Sequence, residues 1–316
     1  MKRELGIVMD PIGSINIKKD STFAMMLAAQ RRGWRLWYME LGDLSLTPGH
    51  CLGRMREIEV EDQAQPWWRF GSTELRPLAS LPAVLMRKDP PFDMEYIYAT
   101  YLLEQAQEAG ALVVNDPRAL RDANEKVFTA RFPQCCPPLL VSRSGTDIAT
   151  FLARHGDMVL KPLGGMGGMS VFRVRAGDPN LNVIVETLTD HGRRYCMAQR
   201  YIPEIAAGDK RILLIDGEPV PYALARIPAP GESRGNLAAG ASAEGRPLTE
   251  GDRSIAGLVG AELRRRGVLF AGIDVIGDYL TEVNITSPAC IRELDALYGL
   301  DIAGDLIATI EEKLGD

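Results

Sequence analysis

Histidine is scarce in this chain. Three occur in 316 residues, His50, His155 and His191. None has a partner at zinc-ligand spacing, so no zinc centre is expected. A Ser/His or Cys/His nucleophile arrangement is lacking as well. No apolar run approaches the ~20 residues of a membrane span, and the opening MKRELGIVMD has no apolar h-region. Export is not expected, and a cytoplasmic protein is the reading. The five cysteines, Cys51, Cys135, Cys136, Cys196 and Cys290, are odd in number and show no C-x-x-C spacing. Free thiols in a reducing compartment fit this best. Cys135 and Cys136, ahead of Pro137 and Pro138, read as a loop feature rather than a redox pair. Positive charge is in deficit: the net charge is −6 and the pI near 5.3, which argues against a general nucleic-acid binder. Only Gly13 follows the first strand closely, with no G-x-G-x-x-G, so a nicotinamide-dependent oxidoreductase is discounted. No internal repeat or low-complexity tract interrupts the chain.

What is present is an ordinary globular composition, with 46% apolar and 25% charged residues. The length suits two or three α/β modules. The N-terminal part alternates strand and helix. Leu5–Met9 reads as a short apolar strand, a helix starts near Asp20 and stops at Gly33, and Trp34–Met39 reads as a second strand. This is a βαβ pattern, which implies a parallel sheet. Ala83–Arg87 is a further strand, Met94–Glu108 a helix and Leu112–Asn115 a strand. The polar stretch 53–82 is expected to be a less regular excursion. From about residue 122 the character changes. Strands are expected at Val159–Lys161, Ser170–Arg175, Tyr195–Gln199, Arg211–Ile215 and Val220–Arg226, with Asp216-Gly217 as a hairpin turn. Residues 228–247 are rich in Gly, Ala, Pro and Ser, and read as a lid loop. Thr249 with Asp252 resembles a capping box that opens a helix.

The most informative stretch is AGIDVIGDYLTEVNITSPAC, residues 271–290. Asp274, Glu282 and Asn284 are oxygen ligands on two adjacent strands. Such a set suits a hard cation such as Mg²⁺, which usually sits between carboxylates and substrate phosphates. The register decides whether they meet. A three-residue loop pairs Ile276 with Leu280 and Asp274 with Glu282, whereas a two-residue Gly-Asp turn pairs Asp274 with Thr281. Turn statistics admit both. We expect the three-residue loop, because only it gathers the ligands; the alternative is a solvated polar face. Gly164, Gly165, Met166, Gly167 and Gly168 form a Gly-rich segment followed by a strand, so it is neither a Rossmann turn nor a Walker A loop. Strand, Gly loop and strand together resemble a flap over phosphates. Lys161 just before it and Lys126 in NEKVF are candidate phosphate lysines, although a single lysine is by default a surface charge. Arg87 ends a strand of the N-terminal sheet, where such sheets bind ligands. Arg211 and Arg226 lie on the two strands of one hairpin and Arg234 in the lid. Arginine suits bidentate contact with carboxylate or phosphate, and several in an acidic chain suggest an anionic substrate.

These parts together fit the ATP-grasp carboxylate–amine ligases. GIVMDP, INIKKDSTFAM, LMRKDPPFD, NEKVFTA, KPLGGMGG, GDKRILLIDGEPVPYALARIP, RGNLAAG and LTEVNITSP resemble, in order along nearly the whole chain, the bacterial glutathione synthetases. The resemblance implies an α/β ATP-grasp architecture in three parts. Residues 1–122 would form an N-terminal parallel-sheet, substrate-binding domain. Residues 123–202 would form a central α+β subdomain with the flap. Residues 203–316 would form a C-terminal antiparallel-sheet subdomain with the lid and metal site. It implies ATP as co-substrate, Mg²⁺ (or Mn²⁺) on Asp274, Glu282 and Asn284, and γ-glutamylcysteine and glycine as substrates. Lys126, Lys161 and the Gly164–Gly168 flap would contact phosphates. Gln199, Tyr201, Ile202 and Asp209 would bind the nucleotide. Arg211, Arg226 and Arg234 would serve catalysis, and Arg87 and Ser287 would hold the peptide substrate. A homotetramer is also implied, with no nucleic-acid or membrane partner. The nearest alternative is an ATP-grasp ligase of the D-alanine or glutamate type. One departure stands out: the family pattern resembles KPLDGMGG, and Gly164 takes the Asp position here.

Overall fold

The computed structural model describes residues 3–62, 65–165, 167–229, 231, 232, 235 and 240–315. Seven strands among them build the first sheet: β1 (Glu4–Val8), β2 (Arg35–Met39), β3 (Leu44–Thr47), β4 (His50–Val60), β5 (Trp68–Pro77), β6 (Ala83–Met86) and β7 (Leu112–Val114). The spatial order is β3-β4-β2-β1-β6-β7, with β5 also on β4. β2, β1, β6 and β7 run parallel, and β3, β4 and β5 are antiparallel to their neighbours. The expected parallel sheet is present in β2, β1, β6 and β7, and β3, β4 and β5 extend it into a mixed one. The stretch expected to be an irregular excursion is a long two-stranded ribbon. Its alternation is masked because the buried positions change phase, from Cys51, Gly53 and Met55 to Ile58 and Val60, at a register shift between Arg56 and Ile58. A bulge resets which residues face inward.

Helices α1 (Ser21–Arg31) and α2 (Met94–Glu108) start where Asp20 and Asp93 side chains accept hydrogen bonds from Phe23 and Tyr96 amides. Side chains alternate along β1, so Leu5 and Ile7 pack with Phe23 and Met26 of α1, while Val8 packs with Tyr96 and Leu103 of α2. Covering on both faces explains why β1, β2 and β6 are nearly all apolar. A short α3 (Pro117–Asp122) follows β7.

The second sheet comprises β8 (Leu139–Ser142), β9 (Asp157–Pro162), β10 (Phe172–Arg175) and β11 (Cys196–Arg200), antiparallel in the order β10-β9-β11-β8. Helices α4 (Gly145–His155) and α5 (Leu181–Thr189) seal one side of it through Ile148, Leu152, Val185 and Leu188.

The third sheet holds β12 (Asp209–Ile215), β13 (Glu218–Ile227), β14 (Ser242–Pro247), β15 (Phe270–Ile276) and β16 (Tyr279–Asn284), antiparallel in the order β14-β13-β12-β15-β16. Asp216 and Gly217, both at positive φ, make the expected β12–β13 turn. Helix α6 (Glu250–Arg265) opens with the expected Thr249–Asp252 capping box and packs on this sheet. Helices α7 (Ile291–Tyr298) and α8 (Ile302–Leu314) return to the α1 side of the first sheet.

Residues 242–247 were expected within the lid loop and are instead the edge strand β14. SAEGRP has no β-branched or aromatic residue, so propensity gives no signal for it. Its backbone pairs with β13 from Tyr222 to Ile227, and the Tyr298 ring, stacked on Tyr222 at 3.6 Å, lies over Gly245. A Cβ at Gly245 would collide with that ring, which is why glycine stands in this strand. The first and third sheets are joined by Asn115. Its Nδ2 donates to the carbonyls of Phe270 and Ile285 at 2.7 and 2.6 Å, and its Oδ1 accepts from the amides of Leu269 and Phe270, both at 2.9 Å.

Candidate active site

A cavity of about 310 Å³ lies between the second and third sheets. The third sheet supplies charge to its floor. Side chains alternate along β12, so Asp209 and Arg211 share a face. The ladder sets Asp209 opposite Arg226 of β13 and Arg211 opposite Asp274 of β15. Arg211 donates to Asp274 through Nε at 2.5 Å and Nη2 at 2.9 Å. Arg226 Nη2 reaches Asp209 Oδ2 at 2.5 Å and Asp274 Oδ2 at 3.0 Å. The four form a buried quartet of two guanidiniums and two carboxyl groups. Burial opposes the Asp274 charge, but the guanidiniums of Arg211 and Arg226 outweigh it and hold that carboxyl well below the usual range. At Asp209 burial wins over Arg226, and the carboxyl is pushed up to about 7.

The β15–β16 hairpin resolves the register in an unforeseen way. Ile276 pairs with Tyr279 and Val275 with Leu280, so the turn is the two-residue Gly277-Asp278. A register shift at Thr281 then brings Asp274 opposite Glu282. The expected pair forms, but the expected three-residue loop does not. The second sheet faces this hairpin. Lys161 of β9 donates to the Thr281 carbonyl at 3.3 Å and stands 3.5 Å from Glu282 Oε1. Lys126 Nζ donates to the Gly165 carbonyl at 2.8 Å and lies 3.8 Å from Glu282. Both lysines are buried.

Gly165, Gly167 and Gly168 line the cavity, the last two at positive φ. Gly164 turns toward a small neighbouring cavity, and a Cβ added there would meet nothing within 4 Å. Gln199, Tyr201 and Ile202 line the main cavity with Val159 and Ile205. The Arg173 guanidinium sits 3.4 Å from the Tyr201 ring centre. Ser287 is on the cavity wall. Arg87 stands behind that wall: its Nε donates to Thr22 Oγ1 at 3.1 Å and its Nη2 to the Pro288 carbonyl at 3.0 Å. Met166 and Arg234 lie outside the described residues.

Among the described residues, three buried polar atoms at this cavity have no hydrogen-bond partner: Gln199 Nε2, Asp209 Oδ1 and Asn284 Nδ2. Buried polar groups are nearly always paired, so their clustering here marks a polar ligand's place. For a divalent cation, the donor set is Glu282, Asn284 and Asp274. All are hard oxygen ligands, as such a cation requires. Glu282 faces the Lys126 and Lys161 ammoniums and fits the ion by charge, and Asn284 offers its carbonyl oxygen, while its unpaired Nδ2 is a donor suited to an acceptor such as a phosphate oxygen. Asp274 fits by chemistry, with its oxygens already accepting from two arginines. Arg173, Glu125 and Cys290 are among the wall residues that were not foreseen. Arg173 lies on the strand after the flap, Glu125 adjoins Lys126, and Cys290 follows Ser287 closely. Burial pushes the Cys290 thiol up to about 11. Adjacency to a recognised residue was the only local signal for the last two.

Among solved structures, a D-cycloserine synthetase matches with a TM-score of 0.68 at 16% identity, covering 98% of this chain and 99% of that one. A RiPP-associated ATP-grasp ligase from Chryseobacterium gregarium, in complex with ADP and a leader and core peptide, matches with a TM-score of 0.66 at 14% identity, covering 99% and 97%. The fold is that of the ATP-grasp ligases. The model of the prokaryotic glutathione synthetase N-terminal domain matches residues 3–121, and that of the prokaryotic glutathione synthetase ATP-grasp domain matches residues 125–299. A glutathione synthetase of Pseudomonas putida is 61% identical over 314 residues, covering 99% of both chains. One of Vibrio cholerae is 58% identical over 311 residues, covering 98% of both. The chain belongs to the prokaryotic glutathione synthetase family. Membership implies use of ATP and dependence on a divalent metal.

Proposed function

We propose that the cavity between the second and third sheets is where this chain joins γ-glutamylcysteine to glycine, converting ATP to ADP and phosphate and releasing glutathione. The reaction follows from the family. The observation that carries the site is that Asp209, Arg211 and Arg226 of the buried quartet, with Asp274 beneath them, line one cavity together with Lys126 and Lys161.

A free carboxylate is a poor electrophile, so it must be activated before an amine can attack. The cysteinyl carboxylate attacks the γ-phosphate in line and forms an acyl phosphate. Lys126 and Lys161 bind the phosphate oxygens, and Gly165, Gly167 and Gly168 bring backbone N–H groups over them. Gln199, Tyr201 and Ile202 hold the base, with the unpaired Gln199 Nε2 as a hydrogen-bond donor. When bound, the divalent cation (Mg²⁺, with Mn²⁺ as substitute) would be held by Glu282, Asn284 and Asp274, and would neutralise phosphate charge. Glycine's amine then attacks the acyl carbon. Arg211 and Arg226 stabilise the oxyanion that develops, already oriented by Asp274 and Asp209. Ser287 holds the peptide, and Arg87 shapes its wall through Pro288. Arg234 of the lid would help exclude water, which would otherwise hydrolyse the acyl phosphate.

The test is ADP release from purified protein with ATP, Mg²⁺, γ-glutamylcysteine and glycine, omitting each in turn, with the product weighed. Release that needs all four, with a glutathione mass, is the expected result. ADP without glutathione would refute it. This reading also includes three parts divided near residues 122 and 202, a cytoplasmic location and a homotetramer. Each part has its own sheet, and no described helix is long and apolar enough to cross a membrane. Met94, Tyr98 and Tyr101 make an exposed apolar stripe on α2 that supports self-association. Light scattering of the purified protein tests the tetramer.

A further inference from the structure

Glu125 lines the cavity but has no part in the reaction as derived. Its backbone carbonyl accepts from the Val283 amide at 2.8 Å, which fixes it beside β16. Asn124 Oδ1 accepts from the amides of Lys126 and Val127, both at 3.1 Å, and Asn124 Nδ2 donates to the Leu163 carbonyl at 3.2 Å. The backbone that launches Lys126 is thereby clamped between the flap root and β16. The Lys126 stem is buried, so its ammonium has a short reach. Two carboxylates lie within it. Glu125 Oε1 accepts a hydrogen bond from Nζ, whereas Glu282 Oε1 is 3.8 Å away and unbonded to it. Glu282 is the carboxylate that would hold the divalent cation, and an ammonium seated on it would compete with that ion for the same oxygen.

We propose that Glu125 is a positioning residue that holds the Lys126 ammonium off Glu282, leaving Glu282 to the divalent cation and Lys126 to the nucleotide phosphates. The inference rests on the roles given above to Lys126 and Glu282. Lys161 already donates to Glu282 Oε1 at 3.5 Å, as well as to the Thr281 carbonyl at 3.3 Å, so Lys126 would be a second ammonium on that oxygen. Burial, with the nearby Glu282 charge, raises the Glu125 pKa, while Lys126 and Lys161 act against the rise.

The experiment uses Glu125→Gln, Lys126→Met and the double variant in the full chain. ADP binding is followed by titration calorimetry across a range of MgCl₂, beside steady-state kinetics. For Glu125→Gln, KM for ATP and the Mg²⁺ needed for half-maximal ADP binding should each rise about fivefold or more, with kcat within about threefold. In the Lys126→Met background the same change should have no further effect, because Glu125 acts through Lys126. A shift within twofold in Glu125→Gln, or an equal shift in both backgrounds, overturns the proposal. If Lys126→Met itself leaves ADP affinity and KM for ATP unchanged, the phosphate role of Lys126 fails and the inference falls with it. If only Glu125→Gln is silent, the inference alone fails. Should Glu125→Gln not fold, Glu125→Asp, whose carboxylate falls short of Nζ, carries the same titration and the same two outcomes.

Discussion

Asp274 and Glu282 stand opposite each other on the β15–β16 ladder, yet their surroundings divide them. Asp274 is enclosed by Arg211 and Arg226, while Glu282 faces two lysines and the open cavity. The two carboxylates should therefore fail differently. Glu282→Gln should lower the melting temperature less than Asp274→Asn, because Lys126 keeps Glu125 as a partner and Glu282 borders the cavity, and should raise the Mg²⁺ needed for half-maximal rate by about tenfold or more. Asp274→Asn should destabilise the fold by about 3 kcal/mol, because it leaves buried arginine charge uncompensated. Thermal melts beside Mg²⁺ titrations check this. Equal effects of the two substitutions on stability would refute the division of roles.

Arg211→Lys tests the quartet. A lysine keeps the charge but loses the planar fork that reaches Asp274 through two nitrogens. If Arg211 stabilises the developing oxyanion, kcat should fall about a hundredfold while KM for ATP stays within about threefold. A loss confined to KM for ATP would place Arg211 on the nucleotide instead. Single-turnover acyl-phosphate trapping would show which half-reaction has slowed.

Local signals made much of this site legible. Asp216-Gly217 announced its turn, Thr249 and Asp252 their helix, and the glycines after Pro162 a loop that lines the cavity. Lys126 and Lys161 were readable from the motifs around them. What stayed hidden depends on tertiary context. β14 carries no strand propensity and exists because β13 offers it a ladder and Tyr298 covers Gly245. The β4 alternation breaks phase at a bulge. The Asp274–Glu282 pairing was expected for the wrong reason, since an extra residue at Thr281 corrects a shorter turn. Nothing in the sequence shows that Asp274 is held by two arginines, or that Arg87 turns to Pro288 rather than to the cavity. These facts rest on strand order, which no local window contains.

Gly164→Asp restores the residue that the family pattern resembles. The space around Gly164 is open, and its φ is not in the left-handed region. The added side chain should therefore fit without strain and should narrow the unfolded ensemble, stabilising by about 0.5 kcal/mol. Proteolysis within the Gly-rich flap should slow, because the backbone there loses freedom. KM for ATP should stay within about threefold, since Gly165, Gly167 and Gly168 line the cavity and Gly164 does not. A melting temperature that falls by several degrees would show that the position needs glycine after all.

Asp295 provides a pH test away from the cavity. Burial, reinforced by the charges of Asp301 and Asp305, pushes its carboxyl from 3.8 up to about 6. Its Oδ1 accepts from the Ile302 amide at the start of α8, at 3.1 Å. A raised carboxyl binds its proton more tightly when folded than when unfolded. Stability from this group is therefore full below about pH 4 and is lost as pH rises through 6. The shift alone corresponds to about 3 kcal/mol, and partial solvent access reduces the expected effect to about 1 kcal/mol. Asp295→Asn keeps an acceptor for Ile302 and removes the charge. The variant should melt higher than the parent at pH 7 to 8, and the gap should shrink toward zero as the pH falls to 4. Melting curves across that range decide it, and a gap that widened in acid would mean that the charged form of Asp295 is the one the fold prefers.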